Sequence, residues 1–173
     1  MDTTTGEATC TVTYSDVGTH VIDALYSGSP GFDGSTSNAI TQTVNQAATT
    51  VTLAFSPSAP VFGSPDTITA SVSATAPGGG TPTGTVSFYE DGSLVAKVSL
   101  SDGNASISAL LQAGTRNIKA LYAGNTNFTG SSTAASKSVG CTTALSGKRV
   151  TGSMTVSSGQ SLCLLSKDVI KGA

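Results

Sequence analysis

The chain has 173 residues, of which 38% are hydrophobic and only 10% are charged, and its formal net charge is −2. This balance excludes the basic patch that binding to nucleic acid or to an anionic membrane surface requires. No run approaches the roughly 20 apolar residues of a membrane span. Ser and Thr are abundant instead, which favours short strands with polar outer faces over helices.

The first 44 residues carry two alternating apolar patterns. Val12 and Tyr14 belong to the first pattern, and Ile22, Ala24 and Tyr26 belong to the second. Strict alternation predicts strands with one buried face. Only about three strands fit into this length, so these side chains would form half a core with no facing sheet.

Residues 45–139 carry a longer series of such patterns. The linker 45–48 is short and is not rich in glycine, which predicts a close and stiff connection to what precedes it. Asp91 and Gly92 stand between two strand-like runs and predict a two-residue hairpin. About seven short strands are predicted, with turns every 8–12 residues, and this is typical of an all-β sandwich. The predicted core positions are Val51, Leu53, Phe55, Ile68, Ala70, Val72, Val86, Phe88, Val98, Leu100, Ile107, Ala109, Leu111, Ile118, Ala120 and Tyr122.

The two regions are copies of one unit. Residues 18–35 and 114–131 align at a constant offset of 96, so that Gly18 matches Gly114 and Tyr26 matches Tyr122. A period near 96 fits one whole sandwich domain and is too long for a helical solenoid. The interpretation is therefore a C-terminal half-repeat at 1–44, with Met1 as a fragment start, followed by a complete domain at 45–139.

The tail, residues 140–173, has a different pattern. Val150 and Gly152 recur as Ile170 and Gly172 about 20 residues later, which is similar to the first coil of a parallel β-solenoid. A hairpin packed on the sandwich explains the same residues. Both interpretations stay open at this point.

The most specific pattern is Gly84-Thr-Val-Ser-Phe-Tyr-Glu-Asp-Gly92, followed by the 114–122 motif, Gly124 and Phe128. It resembles the bacterial immunoglobulin-like domain repeat family, which occurs in tandem on large secreted and surface proteins. The resemblance covers 45–139 and the second half of a domain in 6–44. It implies a sandwich fold, a spacer or presentation role and no shared catalytic residues. Relatives often carry Asp after the glycine that follows the tyrosine, and Ser29 and Asn125 here weaken a calcium role for that loop.

The histidine and cysteine residues of the chain do not form a catalytic or metal-binding motif. His20, the only histidine, matches Arg116 in the second copy and is interpreted as a solvated strand residue. No catalytic, cofactor-binding or metal site is predicted, and we expect no enzyme activity and no cofactor. If a disulfide forms, it is expected between Cys141 and Cys163, with Cys10 left free at an inward strand position.

Two functions from different classes remain. The first is a structural spacer in the stalk of a secreted or cell-surface protein, with the neighbouring repeats as its partners. The second is an adhesin or carbohydrate-binding module that uses a loop at the end of the sandwich to bind surface glycans or proteins. The candidate binding residues are Asn125, Asn127 and Phe128, although recurrence of Phe128 as Phe32 also suits a loop-anchoring role.

Overall fold

The computed structural model describes residues 5–141, 143–145, 149–151, 162–164 and 169–171, and the side chains only up to residue 141. Within this part of the chain every regular element is a strand. The strands are β1 (Gly18–Ile22), β2 (Leu25–Tyr26), β3 (Ser35–Thr36), β4 (Ile40–Val44), β5 (Thr49–Ser56), β6 (Asp66–Ala74), β7 (Thr85–Glu90), β8 (Ser93–Ser99), β9 (Asn104–Ala109), β10 (Gly114–Tyr122), β11 (Ser131–Val139), β12 (Thr143–Leu145), β13 (Arg149–Thr151), β14 (Leu162–Leu164) and β15 (Val169–Lys171).

Strands β5–β11 form the predicted sandwich. One sheet has the order β5-β6-β9 and the other the order β11-β10-β7-β8. Every pairing within the two sheets is antiparallel. The prediction of an all-β immunoglobulin-like sandwich with seven strands is confirmed.

Apolar side chains from both sheets meet between them. Ile68, Ala70 and Val72 alternate with Thr and Ser along β6. Ile118, Ala120 and Tyr122 alternate with Lys119 and Leu121 along β10. All six are buried. Each predicted core residue either is buried or packs against the buried cluster, because alternation along a strand places every second side chain on the same face.

The hairpin between β7 and β8 has the predicted turn. Asp91 has a φ of 48° and Gly92 a φ of 86°, as a type I′ turn requires at both central positions. A register shift lies between Phe88 and Tyr89, so that Ala96 pairs with Phe88 while Leu94 pairs with Tyr89. The extra residue, Val95, is exposed.

The first 44 residues are less regular than predicted. β1 pairs with β4 and β2 pairs with β3, both antiparallel, but residues 6–17 contain no strand, so the strand expected around Val12 and Tyr14 is absent. Its counterpart in the second copy is β9, whose ladder partner is β6. The described part of the first copy has no counterpart of β6, and a strand without a ladder partner loses its backbone hydrogen bonds.

The described part of the tail contains two short parallel pairs. β12 pairs with β14 and places Thr143 opposite Leu162, and β13 pairs with β15 and places Val150 opposite Ile170. Partners 19 and 20 residues apart have the spacing of one solenoid coil. Gly152 and Gly172 lie outside the described residues, so the solenoid interpretation of 140–173 stays a prediction.

Candidate functional site: the junction before the complete domain

The loop between β10 and β11 has a backbone that its own residues fix. Gly124 has a φ of +80°, and a Cβ at this position would lie 2.7 Å from the backbone nitrogen of Gly130. Asn125 follows, and its Oδ1 accepts hydrogen bonds from the backbone N–H groups of Asn127 (2.8 Å) and Phe128 (2.9 Å). Its Nδ2 donates to the carbonyl oxygen of Thr83 at 3.1 Å. The Asn125 side chain therefore fixes the loop backbone in a turn and binds the loop to Thr83.

The aromatic residues of this loop lie inside the domain. Phe128 is 8% exposed and belongs to the buried core cluster. Tyr122 is completely buried, and its hydroxyl donates to the carbonyl oxygen of Thr83 at 2.7 Å. Burial raises the pKa of Tyr122. Neither ring offers a face to a ligand in this conformation, so the candidate residues Asn125 and Phe128 have structural contacts here.

The linker lies along this loop and is bound to it. The N–H of Ala47 donates to the carbonyl oxygen of Asn127, and the N–H of Thr129 donates to the carbonyl oxygen of Ala47, each at 2.9 Å. Gln46 donates through Nε2 to the carbonyl oxygen of Asn125 at 2.7 Å. Thr49 Oγ1 donates to the carbonyl oxygen of Thr129 at 2.8 Å. The linker is thus an added edge of the sandwich and not a free tether.

Asn127 connects the preceding copy to the same loop. Its Nδ2 donates to the carbonyl oxygen of Ser15 at 3.1 Å, and its Oδ1 accepts from the N–H of Val17 at 3.4 Å. At the offset of 96 the first copy has Gly31 in this place, which has no side chain to make such a contact. The sequence marked Asn127 as a binding candidate, but its partners, 110 and 112 residues away, are visible only in the fold.

A cleft of about 1130 Å³ lies at this junction. Its walls include Tyr14, Ser15, Val44, Gln46 and the glycine-rich segment 77–81. Tyr14 packs against His20, with ring centroids 4.4 Å apart and an interplanar angle of 37°. His20 Nε2 lies 3.3 Å from the backbone oxygen of Asp16. This arrangement gives His20 a packing role, because the contacts seen among the described residues are to the Tyr14 ring and to a backbone oxygen, and neither serves general-base chemistry.

Charged residues at the other end of the domain form a small network around the Asp91 turn. Arg116 binds Asp91, with 2.9 Å between Nη1 and Oδ2, and its Nε lies 4.0 Å from Glu90 Oε1. The N–H of Asn117 donates to Asp91 Oδ1 at 2.9 Å. That backbone hydrogen bond, followed by the one from Arg116, lowers the pKa of Asp91. These contacts hold a hairpin turn, and no group of three or more His, Cys, Asp or Glu among the described residues is placed to hold a metal ion.

One buried carboxyl was not anticipated. Asp66 begins β6 on the same face as Ile68 and is completely buried. Neither of its carboxylate oxygens has a hydrogen-bond partner among the described residues. Desolvation raises its pKa, against the opposing effect of the Lys137 charge.

The cysteines differ in state. Cys10 is free and exposed, because the segment that holds it is not a strand with a facing sheet. The inward position expected for it is therefore not observed. Cys141 is disulfide-bonded, and the backbone of Cys163 lies opposite Ala144 in the β12–β14 pair. Since the Cys163 side chain lies outside the described residues, the Cys141–Cys163 pairing stays a prediction.

The family described as "Bacterial Ig-like domain (group 3)" matches residues 51–140, which is just over half of the chain. The match begins in β5 and ends directly after β11, so it covers both sheets of the sandwich. The chain belongs to the bacterial Ig-like domain family. The resemblance inferred from the 84–92 and 114–122 motifs is thereby confirmed.

Solved structures that are similar to the chain share little sequence with it. One is a structure of Clostridium thermocellum CbhA fibronectin(III)-like modules, 17% identical, with a TM-score of 0.43, covering 75% of this chain. The chain spans 66% of that structure's length. Another is the rat CD45 extracellular region, domains d3-d4, 11% identical, with a TM-score of 0.39 and coverage of 76% and 70% of the two chains. No curated protein matches the chain.

Membership in the bacterial Ig-like family places the domain in a class that is typically structural, non-catalytic and found in extracellular proteins. The part of the chain that the structure describes contains no helix that could span a lipid bilayer.

Proposed function

We propose that this bacterial Ig-like chain is a non-catalytic spacer, part of a stalk that presents other domains of a secreted or cell-surface protein. The proposal includes the division into a C-terminal half-repeat at 1–44, a complete domain at 45–139 and a separate β-rich tail at 140–173. Its partners are the neighbouring repeats of the same chain.

The observation that carries the proposal is the bound linker. A stalk transmits distance only if consecutive repeats keep their relative orientation, and a free four-residue tether does not ensure this. Here Ala47 forms backbone hydrogen bonds with Asn127 and Thr129, the two neighbours of Phe128. The Gln46 side chain adds a hydrogen bond to Asn125, and the Asn127 side chain adds one to Ser15 in the preceding copy. These contacts remove the freedom that the linker would otherwise have.

The test measures the distance distribution across the junction. Spin labels are attached to Thr41→Cys on β4 and Lys97→Cys on β8, both exposed positions, in a Cys10→Ser background. Pulsed electron paramagnetic resonance measures the distribution of distances between the two labels. We expect one narrow distance in the unmodified junction. The double variant Gln46→Ala, Asn127→Ala should broaden it, because it removes the side-chain bonds and leaves the backbone bonds in place.

Asn45→Ala is the matched control, since Asn45 is an exposed linker residue beside Gln46. It should leave the distribution unchanged. A broad distribution in the unmodified chain would contradict a spacer role. Selective binding of the chain to one surface glycan in an array would instead favour the alternative, an adhesin or carbohydrate-binding module.

A further inference from the structure

Two segments of the complete domain have the sequence of an acceptor for N-linked sugars. They are Asn104-Ala105-Ser106 and Asn127-Phe128-Thr129. Each has a hydroxyl group two residues after the asparagine and a residue other than proline between the two, which is the pattern that oligosaccharide-transferring enzymes modify. The sequence alone does not distinguish the two segments, but their positions in the fold do.

The segment at 127–129 is bound at all three of its residues. The Asn127 side chain forms hydrogen bonds with backbone atoms of the preceding copy. Phe128 is 8% exposed and lies in the core, and Thr129 Oγ1 donates to the carbonyl oxygen of Ala47 at 3.4 Å. An enzyme would have to displace the linker and a core ring to bind this segment, so the folded chain does not offer it.

The segment at 104–106 lies at the surface, at the start of β9. Ser101 and Asn104 exchange two backbone hydrogen bonds, of 2.8 and 2.9 Å, across the turn that precedes the strand. Asn104 and Ser106 are exposed and Ala105 is buried, because alternation along a strand places every second side chain on the same face. The acceptor nitrogen and the required hydroxyl group therefore share one accessible face.

The contacts that hold Asn104 are ones that an enzyme can replace. Its Nδ2 donates to the carbonyl oxygen of Asp102 at 2.9 Å, and its Oδ1 accepts from Ser71 Oγ at 2.6 Å. Both bonds are exposed, and exposed hydrogen bonds exchange with water at little net cost. β9 is also an edge strand of the sheet β5-β6-β9. Lifting the end of an edge strand breaks one ladder instead of two, so local opening here leaves the rest of the domain folded.

The surface around Asn104 suits an attached sugar. The outer face of the sheet β5-β6-β9 carries hydroxyl side chains on all three strands and no charged residue: Thr50, Thr52, Thr67, Thr69, Ser71, Ser73, Ser106 and Ser108. Some of them are hydrogen-bonded across the strands, as Thr69 and Ser106 are at 2.8 Å. Hydroxyl groups both donate and accept hydrogen bonds, and those of a sugar do the same. No charge on this face would lose its hydration beneath a glycan.

We propose that Asn104 is an acceptor site for N-linked glycosylation, with an oligosaccharide linked to a lipid diphosphate as the sugar donor. In the transfer, Asn104 Nδ2 forms a bond to the anomeric carbon of the first sugar, and the bond from that carbon to the diphosphate oxygen breaks. The lipid diphosphate leaves with the bonding electron pair, and one Nδ2 proton passes to a base of the transferring enzyme. This inference does not depend on the spacer role, because it concerns one domain by itself.

The experiment incubates the purified, folded chain with a bacterial oligosaccharyltransferase and a lipid-linked oligosaccharide of known mass. A reference acceptor peptide in the same reaction shows that the enzyme is active. Intact-mass spectrometry counts the glycans on each chain, and peptide mapping locates them. We expect one glycan, attached to Asn104, and an unmodified Asn127.

Ser106→Ala keeps Asn104 but removes the hydroxyl group that the enzyme requires, so this variant should lose the modification. Ser108→Ala is the matched control, since Ser108 lies on the same face of β9 but outside the acceptor segment, and it should be modified like the unmodified chain. Circular dichroism checks that both variants fold. The proposal is overturned if the chain carries no glycan while the reference peptide is modified. A glycan on Asn127, or one that persists on Asn104 in Ser106→Ala, would overturn it as well.

Discussion

The hydroxyl of Tyr122 donates a hydrogen bond to the carbonyl oxygen of Thr83 across 39 residues of sequence, at 2.7 Å. The matched Tyr26 donates instead to Ser29, three residues away. The same residue type in the same motif therefore has a long-range role in one copy and a local role in the other. This contrast supplies internal controls for the predictions that follow.

Tyr122→Phe is expected to lower the free energy of unfolding of the complete domain by about 0.5–1.5 kcal/mol, because a buried hydrogen bond is lost. The loss should lie in the lower part of this range, since Asn125 also donates to the Thr83 oxygen. Tyr26→Phe should change the unfolding midpoint far less. Urea denaturation followed by circular dichroism measures both, and equal effects would refute the distinction.

Ile118→Ala is expected to cost about 2–5 kcal/mol, since it opens a cavity in a well-packed core. Ile22→Ala at the matched position should cost less than about 0.5 kcal/mol, as is usual for substitutions at exposed sites. Both are measured by urea denaturation of the full chain. A small effect at Ile118 would show that the assigned core face is wrong.

Asp66 should make the domain less stable as the pH rises. Its folded-state pKa is raised above the ordinary value of 3.8, so the stability that the protonated form gives is present below that value and is lost as the pH rises through the folded pKa. Asp66→Asn removes this titration. We expect the unfolding free energy of the unmodified chain, relative to Asp66→Asn, to fall between pH 3.5 and pH 7, and a flat difference would contradict this.

Asp91 should make the domain less stable as the pH falls, the opposite of the effect expected for Asp66. Its folded-state pKa is lowered below 3.8 by the Asn117 amide and Arg116, so its contribution is present above pH 3.8 and is lost as the pH falls through the folded pKa. Asp91→Asn removes the charge and keeps a residue that the turn accepts. The difference in the free energy of unfolding between the unmodified chain and Asp91→Asn should therefore shrink in acid. A pH series of urea denaturation curves measures this difference.

Alkylation of the native, oxidised chain should modify Cys10 alone. Cys10 is free and exposed, and Cys141 is expected to be bridged to Cys163. Peptide mapping by mass spectrometry, with and without prior reduction, identifies the modified and the linked peptides. A linked peptide that contains Cys10 from the same molecule would show that the pairing is wrong.

The sequence by itself determined the repeat, the all-β class, the Asp91-Gly92 hairpin and the core faces of residues 45–139. Alternation and turn residues act over a few positions, and the offset of 96 is visible without coordinates. For that reason Ile68, Ala70, Ile118 and Ala120 were assignable to the core from the pattern alone.

Only the tertiary structure decided which alternating segments become strands and which polar residues become structural. Residues 10–14 alternate much as β9 does, but β9 has β6 beside it, and the described part of the first copy has no counterpart of β6. Asn127 and Gln46 bind partners about 80 to 112 residues away, and Asp66 is buried by strands distant in sequence. Strand pairing and burial are set by these long-range contacts, and a local pattern does not contain them.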